Sequence, residues 1–380
     1  METASAREPD SPPRGHPAAI FLDFLRFGAT AFGGPAVQIA ELSSEFADRR
    51  GWLTRERFRR ALAVYQLLPG PEAHEMCCYL GTVRGGRLGG IAAGLGFMLP
   101  GLVLMLAASA LYGVLDLRSP PVAGAMAAMQ IAACALIVRA AVRLVAPLWR
   151  AAPGTGKAPI AAVIAASIAT IALLSPGATA PAEGIAAGAP ASEHTRGAGE
   201  LFGHGLVAGL VTFGGAYTAL PYVSSVAAGE GGWMTQQACL DGIAIASVLP
   251  APLVIFGTFV GHQGGGVPGA LAFTAGIFLP AFGFTFIGFG FFERLVSWPP
   301  ARRTLNLLGA IAVGLIVGAA FGFVLETAGG WSRRPVFFGD MTLVLIAAAV
   351  AAMLRTKVPY AAPVLVATAG AAGAIYGALA

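Results

Sequence analysis

The sequence predicts an all-α integral membrane protein of two homologous halves, each of about five to six transmembrane helices. Three observations lead there: windows almost free of charge recur along the chain, landmark motifs repeat at one fixed offset, and glycine and proline interrupt the apolar segments at matching places. Of the 380 residues, 56% are apolar and only 11% charged, with a mean hydropathy of +0.73, whereas a soluble globular chain carries roughly 25% charged residues. Windows such as 88–112 and 268–292 are long enough to cross the roughly 30 Å hydrocarbon core as helices, which satisfy their own backbone polar groups.

A formal charge of +5 would suggest nucleic acid in a soluble chain. Here the Lys and Arg residues fall in short connections between apolar runs, as positive-inside topology expects, which excludes a nucleic-acid partner and makes the bilayer the partner instead. Residues 1–17 are polar and proline-containing without the apolar stretch of a signal peptide, and read as a disordered cytoplasmic tail. The four cysteines, Cys77, Cys78, Cys134 and Cys239, lie inside apolar segments with no CxxC spacing, and read as small buried hydrophobes. No cofactor and no metal site is expected.

The repeat sets the architecture. Phe32-Gly33-Gly34 returns as Phe213-Gly214-Gly215, Gly51-Trp52-Leu53-Thr54 as Gly232-Trp233-Met234-Thr235, and Leu68-Pro69-Gly70-Pro71 as Leu249-Pro250-Ala251-Pro252, all at the same offset. One residue shorter, Gly81 matches Gly261 and Leu99-Pro100 matches Leu279-Pro280. The expected organisation is a tail at 1–17, a first repeat at 18–174, a linker rich in Ala, Gly, Pro and Ser at 175–199, and a second repeat at 200–380. Apolar segments are expected near 18–40, 61–80, 88–112, 123–148 and 160–174, then 201–222, 239–261, 269–292, 305–325, 341–354 and 361–379. The stretch 41–65 reads mostly as an amphipathic surface helix, with Trp52 suited to a headgroup interface. It carries six arginines, Arg49, Arg50, Arg55, Arg57, Arg59 and Arg60, whereas its counterpart at 224–238 has no Lys or Arg. Equivalent loops of opposite charge character belong on opposite membrane faces, so an inverted-topology repeat with broken helices is expected.

Interrupted segments in corresponding positions of two halves point to a transporter's substrate site. The interruptions are Gly33-Gly34-Pro35 with Gly214-Gly215, and Pro69-Gly70-Pro71 with Pro250-Ala251-Pro252. Proline breaks a helix, glycine lets backbone approach an ion, and a restarting helix aims free N–H groups and its positive dipole end at the gap. Kinks and close helix packing are the plainer explanation for each motif taken alone. Several donors are what a divalent anion needs, because even one charge at the bilayer centre costs a few kcal/mol or more. Gln66 and its counterpart Ser247 are further hydrogen-bonding candidates, although contacts between helices would account for them equally well.

Glu72, His74 and Glu75 follow the first Pro-x-Pro motif directly, three ionisable groups opening an apolar helix. They are candidates for a proton or gating role, and complementing the helix dipole is the plainer alternative for the two glutamates. Asp241, His204 and His262 fall near segment ends, where contact with the interface is the cheaper explanation.

The runs Phe27-Gly28-Ala29-Thr30-Ala31-Phe32-Gly33-Gly34-Pro35, Gly51-Trp52-Leu53, Gln66-Leu67-Leu68-Pro69-Gly70-Pro71-Glu72-Ala73 and Tyr79-Leu80-Gly81 resemble the N-terminal domain of the chromate ion transporter superfamily. The second half is similar through Thr212-Phe213-Gly214-Gly215-Ala216-Tyr217, Leu220-Pro221-Tyr222, Gly232-Trp233 and Leu249-Pro250-Ala251-Pro252. The resemblance implies the long-chain, two-domain form: a multi-pass protein of the bacterial inner membrane that expels chromate and handles sulfate as its structural analogue. It implies motif residues at Gly33, Gly34, Pro69, Gly70, Pro71 and their second-half partners. Relatives usually carry glycine where this chain has Ala251. A homodimer is left open. An interior-negative potential is worth about 2.3 kcal/mol per charge per 100 mV, so a dianion gains roughly 4.6 kcal/mol on leaving the cell. The competing readings are a carrier of another anion such as sulfate, and a membrane-embedded enzyme using Glu72, His74 and Glu75 as acid and base. Against the enzyme, the second copy has Leu253, Ile255 and Phe256 at those places.

Overall fold

The computed structural model describes residues 15–32, 35–151, 195–212, 218–300, 317 and 361–379, and every regular element among them is helical. Chain order gives α1 (Pro17–Thr30), α2 (Pro35–Leu42), a π-helical turn (Ser43–Arg49), α3 (Arg55–Tyr65), α4 (Glu72–Val114), α5 (Pro120–Ala151), α6 (Ala198–Leu210), α7 (Ala219–Ala228) and α8 (Gln236–Val248). A 3-10 turn (Leu253–Ile255) leads into α9 (Phe256–Ile287), followed by α10 (Phe289–Ser297) and α11 (Ala361–Leu379). Long apolar helices able to cross a membrane among the described residues are Glu72–Val114, Pro120–Arg139 and Leu253–Phe284. The expected segments at 160–174, 305–325 and 341–354 lie outside the described residues, and α6 begins within the last two residues of the expected linker.

Local chemistry sets the helix starts. Pro17 opens α1, and His16 Nδ1 accepts the Ala18 N–H at 3.3 Å. Thr54 Oγ1 caps α3 by accepting from the Arg57 N–H at 3.2 Å, and Thr235 caps α8 in the same way through Ala238 at 3.1 Å. Helix α1 buries Ile20, Phe24 and Gly28, one face at a four-residue spacing.

Helices α4 and α9 are not rods. Each folds back on itself at a glycine pair: Gly85 and Gly86 adopt φ/ψ of −139/19 and 65/−160, and Gly265 and Gly266 adopt −154/25 and 59/−152. Only a residue without Cβ reaches the second of these conformations cheaply. The arms touch just beyond the turn, where a Cβ added to Gly261 would stand 2.5 Å from the Gly269 carbonyl and one added to Gly81 would collide with the Gly89 carbonyl. In a straight helix residues eight apart are about 12 Å apart. The same construction at the same repeat positions in both halves is the structural form of the sequence repeat.

Helix packing repeats too. Gly28 lies against the Phe97 carbonyl and Gly96 against that of Phe21; in the second half Gly209 lies against Ile277 and Gly276 against Phe202. The Gly15 N–H donates to the Arg84 carbonyl at 2.9 Å, and the Arg196 N–H to the Gly264 carbonyl at 2.8 Å. Across that shared backbone bond the arginine changes sides, yet each half places a guanidinium 5.6 Å above its loop tryptophan, Arg84 over Trp52 and Arg196 over Trp233.

Two expectations need correction. Trp52 does not present itself to headgroups: it is 7% exposed, packed on Phe24 and Phe46 and covered by Arg50 and Arg84. The stretch 41–65 is the end of α2, a π-helical turn, a loop and α3, since Gly51 takes φ +62 and ends the first helical run. Only α3 is amphipathic as expected, burying Phe58, Ala61, Val64 and Tyr65 with its arginines outward. At its entrance the hydrogen bond from Arg55 holds the Asp48 carboxyl below its usual range.

Two apolar cores result. One gathers α1, α2, α3 and the start of α4 around Phe24, Phe46 and Phe97. The other combines the second half with α5 and the far end of α4, including Met105, Tyr112 and Ile131. Helix α5 also packs on α11, where Gly373 lies against the Gly124 carbonyl. The halves therefore interlock rather than merely abut.

Candidate functional site

The segments expected at 18–40, 61–80, 201–222 and 239–261 are each divided. Helix α1 ends at Thr30 and α2 begins at Pro35; α3 ends at Tyr65 and α4 begins at Glu72; α6 gives way to α7 between 210 and 219; α8 ends at Val248 and α9 begins at Phe256. Gly33, Gly34, Gly214 and Gly215 lie outside the described residues. The edges of their breaks are described, and they carry the geometry.

At the first glycine break, the side chain of Gln38 reaches back from α2 and its Nε2 donates to the Ala31 carbonyl at 2.9 Å. Gln38 is fully buried, and its Oε1 has no hydrogen-bond partner. At the second, Thr212 closes α6 with its hydroxyl donating to the Ala208 carbonyl at 2.8 Å. The Thr212 carbonyl then accepts a 2.6 Å hydrogen bond from the Gly70 N–H. The first half's Pro-x-Pro break is thus bonded, backbone to backbone, to the residue that opens the second half's glycine break.

Gly70 holds φ +148, and the space where its Cβ would stand is taken by Glu75 Oε1. Pro71 forms the start of α4, its carbonyl accepting from the N–H groups of His74 (2.8 Å) and Glu75 (3.1 Å). Pro69 is half-buried, while Gly70, Pro71, Glu72, His74 and Glu75 are buried. Glu75 is 1% exposed and neither carboxyl oxygen has a hydrogen-bond partner. Glu72 is bonded to the Gln66 side chain, which sits exposed at the end of α3. The His74 ring is seated between the halves, 4.7 Å from the Phe278 ring and 4.9 Å from Phe282, with Nδ1 3.7 Å from Cys78 Sγ. The four cysteines are buried, and no disulfide joins them.

The second Pro-x-Pro break differs. The Ala251 N–H turns inward to the Leu249 carbonyl at 2.9 Å instead of crossing to the other half. Its methyl group packs on Gly101 of α4, the first half supplying the missing Cβ space. Pro250 and Pro252 are buried. Ser247 does not face a gap with a free hydroxyl, because its Oγ donates to the Ile243 carbonyl of its own helix at 2.8 Å. The structure therefore gathers Gln66, Pro69, Gly70, Pro71, Glu72, His74 and Glu75 around one crossing and leaves Ser247 outside that polar cluster.

Sequence reasoning missed Gln38 and Gly101, which have no motif of their own, and gave no role to Thr212 although it opens the second half's glycine motif. It also misplaced Asp241 and His262. Asp241 is 3% exposed and accepts from Tyr112 Oη at 2.7 Å and Gln130 Nε2 at 2.6 Å. His262 Nδ1 lies 2.9 Å from Ser109 Oγ, which also accepts from Gln263 at 3.1 Å. Both sets are contacts between the halves, buried at Asp241 and part-buried at His262, and not interface contacts with lipid headgroups.

The comparisons with known proteins agree with this architecture. The profile of the chromate transporter family matches twice, over residues 18–190 and 199–374. A chromate transport protein of Pseudomonas aeruginosa is 41% identical over 345 residues, covering 83% of this chain and 82% of that protein. Others are a chromate transport protein of Cupriavidus metallidurans, 26% identical over 79% of this chain and 80% of its own length, and an uncharacterized transporter of Methanocaldococcus jannaschii, 25% identical over 88% and 90%. No solved structure matches the chain. With one profile matched by both repeats and a 41% identical relative spanned over four-fifths of its length, the chain belongs to the chromate transporter family of membrane proteins.

Proposed function

We propose that this protein exports chromate across the bacterial inner membrane by alternating access, through a site built from Gly33, Gly34, Gln66, Pro69, Gly70, Pro71, Gly214, Gly215, Ser247, Pro250 and Pro252, and so contributes to chromate resistance. The observation that carries the reading is the 2.6 Å bond from Gly70 to Thr212, which ties a break in one repeat to a break in the other. Non-helical backbone inside an apolar bundle is tolerated where protein or a cavity surrounds it. Paired breaks between two repeats are the geometry of substrate sites in secondary transporters. The names of the curated relatives supply the anion.

Outward movement follows from charge, since an interior-negative potential favours the exit of a dianion. Inverted orientation of the repeats, supported by the six arginines confined to one of two equivalent loops, gives each break its turn at each surface. Sulfate, with the same shape and charge, is the alternative cargo. Catalysis by Glu72, His74 and Glu75 is the weaker reading, because the His74 ring is packed between aromatic rings rather than open to a reactant.

The test is chromate flux in vesicles containing the purified protein, with the potential set and sulfate as competitor. Voltage-driven chromate movement inhibited by sulfate is expected; absence of flux from folded protein overturns the reading. Gly70→Ala forces a side chain into a positive-φ position already filled by Glu75 and is expected to lower flux at least about tenfold at equal membrane content.

A further inference from the structure

We propose that the seam between α3 and α10 is a saturable binding site for the anionic headgroup of a phospholipid, which clips the first repeat to the second at one membrane surface. This site is separate from the one proposed for chromate and does not depend on which anion is carried.

Helices α3 and α10 stand at the same surface. Ser109 lies about 23 residues, or roughly 35 Å of helix, beyond Gly86 in the α4 hairpin, and it meets His262, just before the α9 hairpin turn, at 2.9 Å. The two turns therefore lie at opposite ends of the bundle, about one hydrocarbon thickness apart. The arginine-rich stretch belongs to the first end, since Arg84 beside that turn covers Trp52. The long arm of α9 leaves the second end, passes Gly94 at Phe282 and delivers α10 to the first. There α10 packs on α3, and Phe292 is buried in the core that holds Phe58 and Tyr65. With no Lys or Arg in the equivalent loop at 224–238, positive-inside topology makes this the cytoplasmic surface, where the leaflet is negatively charged.

The charge at this surface is not spent internally. Glu45 holds Arg49 and Arg50, and Asp48 holds Arg55, which engages the acids at the entrance of α3. Arg59 is exposed and takes part in no ion pair among the described residues. Helix α10 adds an exposed stripe of Phe291, Arg294 and Trp298 at positions i, i+3 and i+7. A guanidinium fork matches phosphate oxygens bidentately, and aromatic rings settle at headgroup level. A small free oxyanion would use the arginines and leave Phe291 and Trp298 without a role; a lipid uses both, its phosphate between the arginines and its chains along the rings. Because one arginine comes from each repeat, the headgroup bridges them.

The test is a lipid titration of the full chain in detergent. Phosphatidylglycerol is expected to raise the melting temperature saturably, phosphatidylcholine with the same acyl chains is not, and added salt is expected to weaken the effect. Arg59→Gln on α3 and Arg294→Gln on α10 are each expected to raise the half-saturating phosphatidylglycerol concentration about fivefold, and the double variant about twenty-fivefold. Each titration starts from the variant's own lipid-free melting temperature, which also reports that it is folded. Equal stabilisation by the two lipids, or a wild-type titration in both single variants, overturns the proposal. An effect of Arg59→Gln alone overturns the bridge between repeats. Sulfate reproducing the stabilisation through the same two arginines would assign them to small oxyanions and overturn the lipid assignment.

Discussion

The two Pro-x-Pro breaks show how one methyl group changes what a backbone can reach. At Gly70 the absence of Cβ leaves room for the Glu75 carboxyl and frees the N–H to cross to Thr212. At Ala251 the methyl is packed against Gly101 and the N–H bonds locally. The extra carbon thus fills a contact between halves and does not line the polar cluster around Glu75. Ala251→Gly is accordingly expected to leave chromate transport within about twofold of wild type while lowering stability by about 1 kcal/mol for the methyl removed. Transport assays and thermal unfolding in the same detergent check both parts. A large gain in flux would show that the methyl obstructs the anion path.

At the scale of elements, the glycine-paired hairpins within α4 and α9 place the short arms that follow each Pro-x-Pro break. Gly261→Val would put a branched side chain against the Gly269 carbonyl and Phe273, whose Cβ stands 2.7 Å from the new atom. Gly266→Ala meets open space apart from Pro268 and faces only its φ of +59. The first substitution is expected to cost several kcal/mol and abolish folded yield, the second about 1–3 kcal/mol, as read by monodisperse yield and melting temperature. Equal yields for the two would mean that the arms do not pack as described.

The breaks and the turns between apolar runs were legible in the sequence because proline, glycine and arginine punctuate backbone locally. The folds at Gly85-Gly86 and Gly265-Gly266 fall in the gaps expected between segments 61–80 and 88–112 and between 239–261 and 269–292. That Gln38 spans a break was not legible, because it depends on a partner, Ala31, that only the folded chain brings near. Trp52 and Asp241 were misread for the same reason. Their residue types suit a membrane interface, but tertiary neighbours bury them.

For the whole molecule, alternating access requires the halves to part and rejoin, so the polar contacts between them matter more than the apolar ones. Asp241 gathers Tyr112 from α4 and Gln130 from α5 onto α8, and Ser109 joins His262 and Gln263 nearby. An apolar contact slides, whereas a buried carboxylate with two donors has few acceptable positions, and separating it from them leaves each polar group unsatisfied at about 1–3 kcal/mol. That arrangement makes a directional lock between the halves. Two chains divided within residues 175–194 and expressed together are expected to co-purify, and Asp241→Leu is expected to reduce the recovered complex at least about fivefold, with Ser247→Ala as an unaffected control. If the Asp241 variant associates like wild type, the apolar core shared by α5, α8 and α11 holds the halves unaided. The lock would then have to be sought elsewhere on the interface.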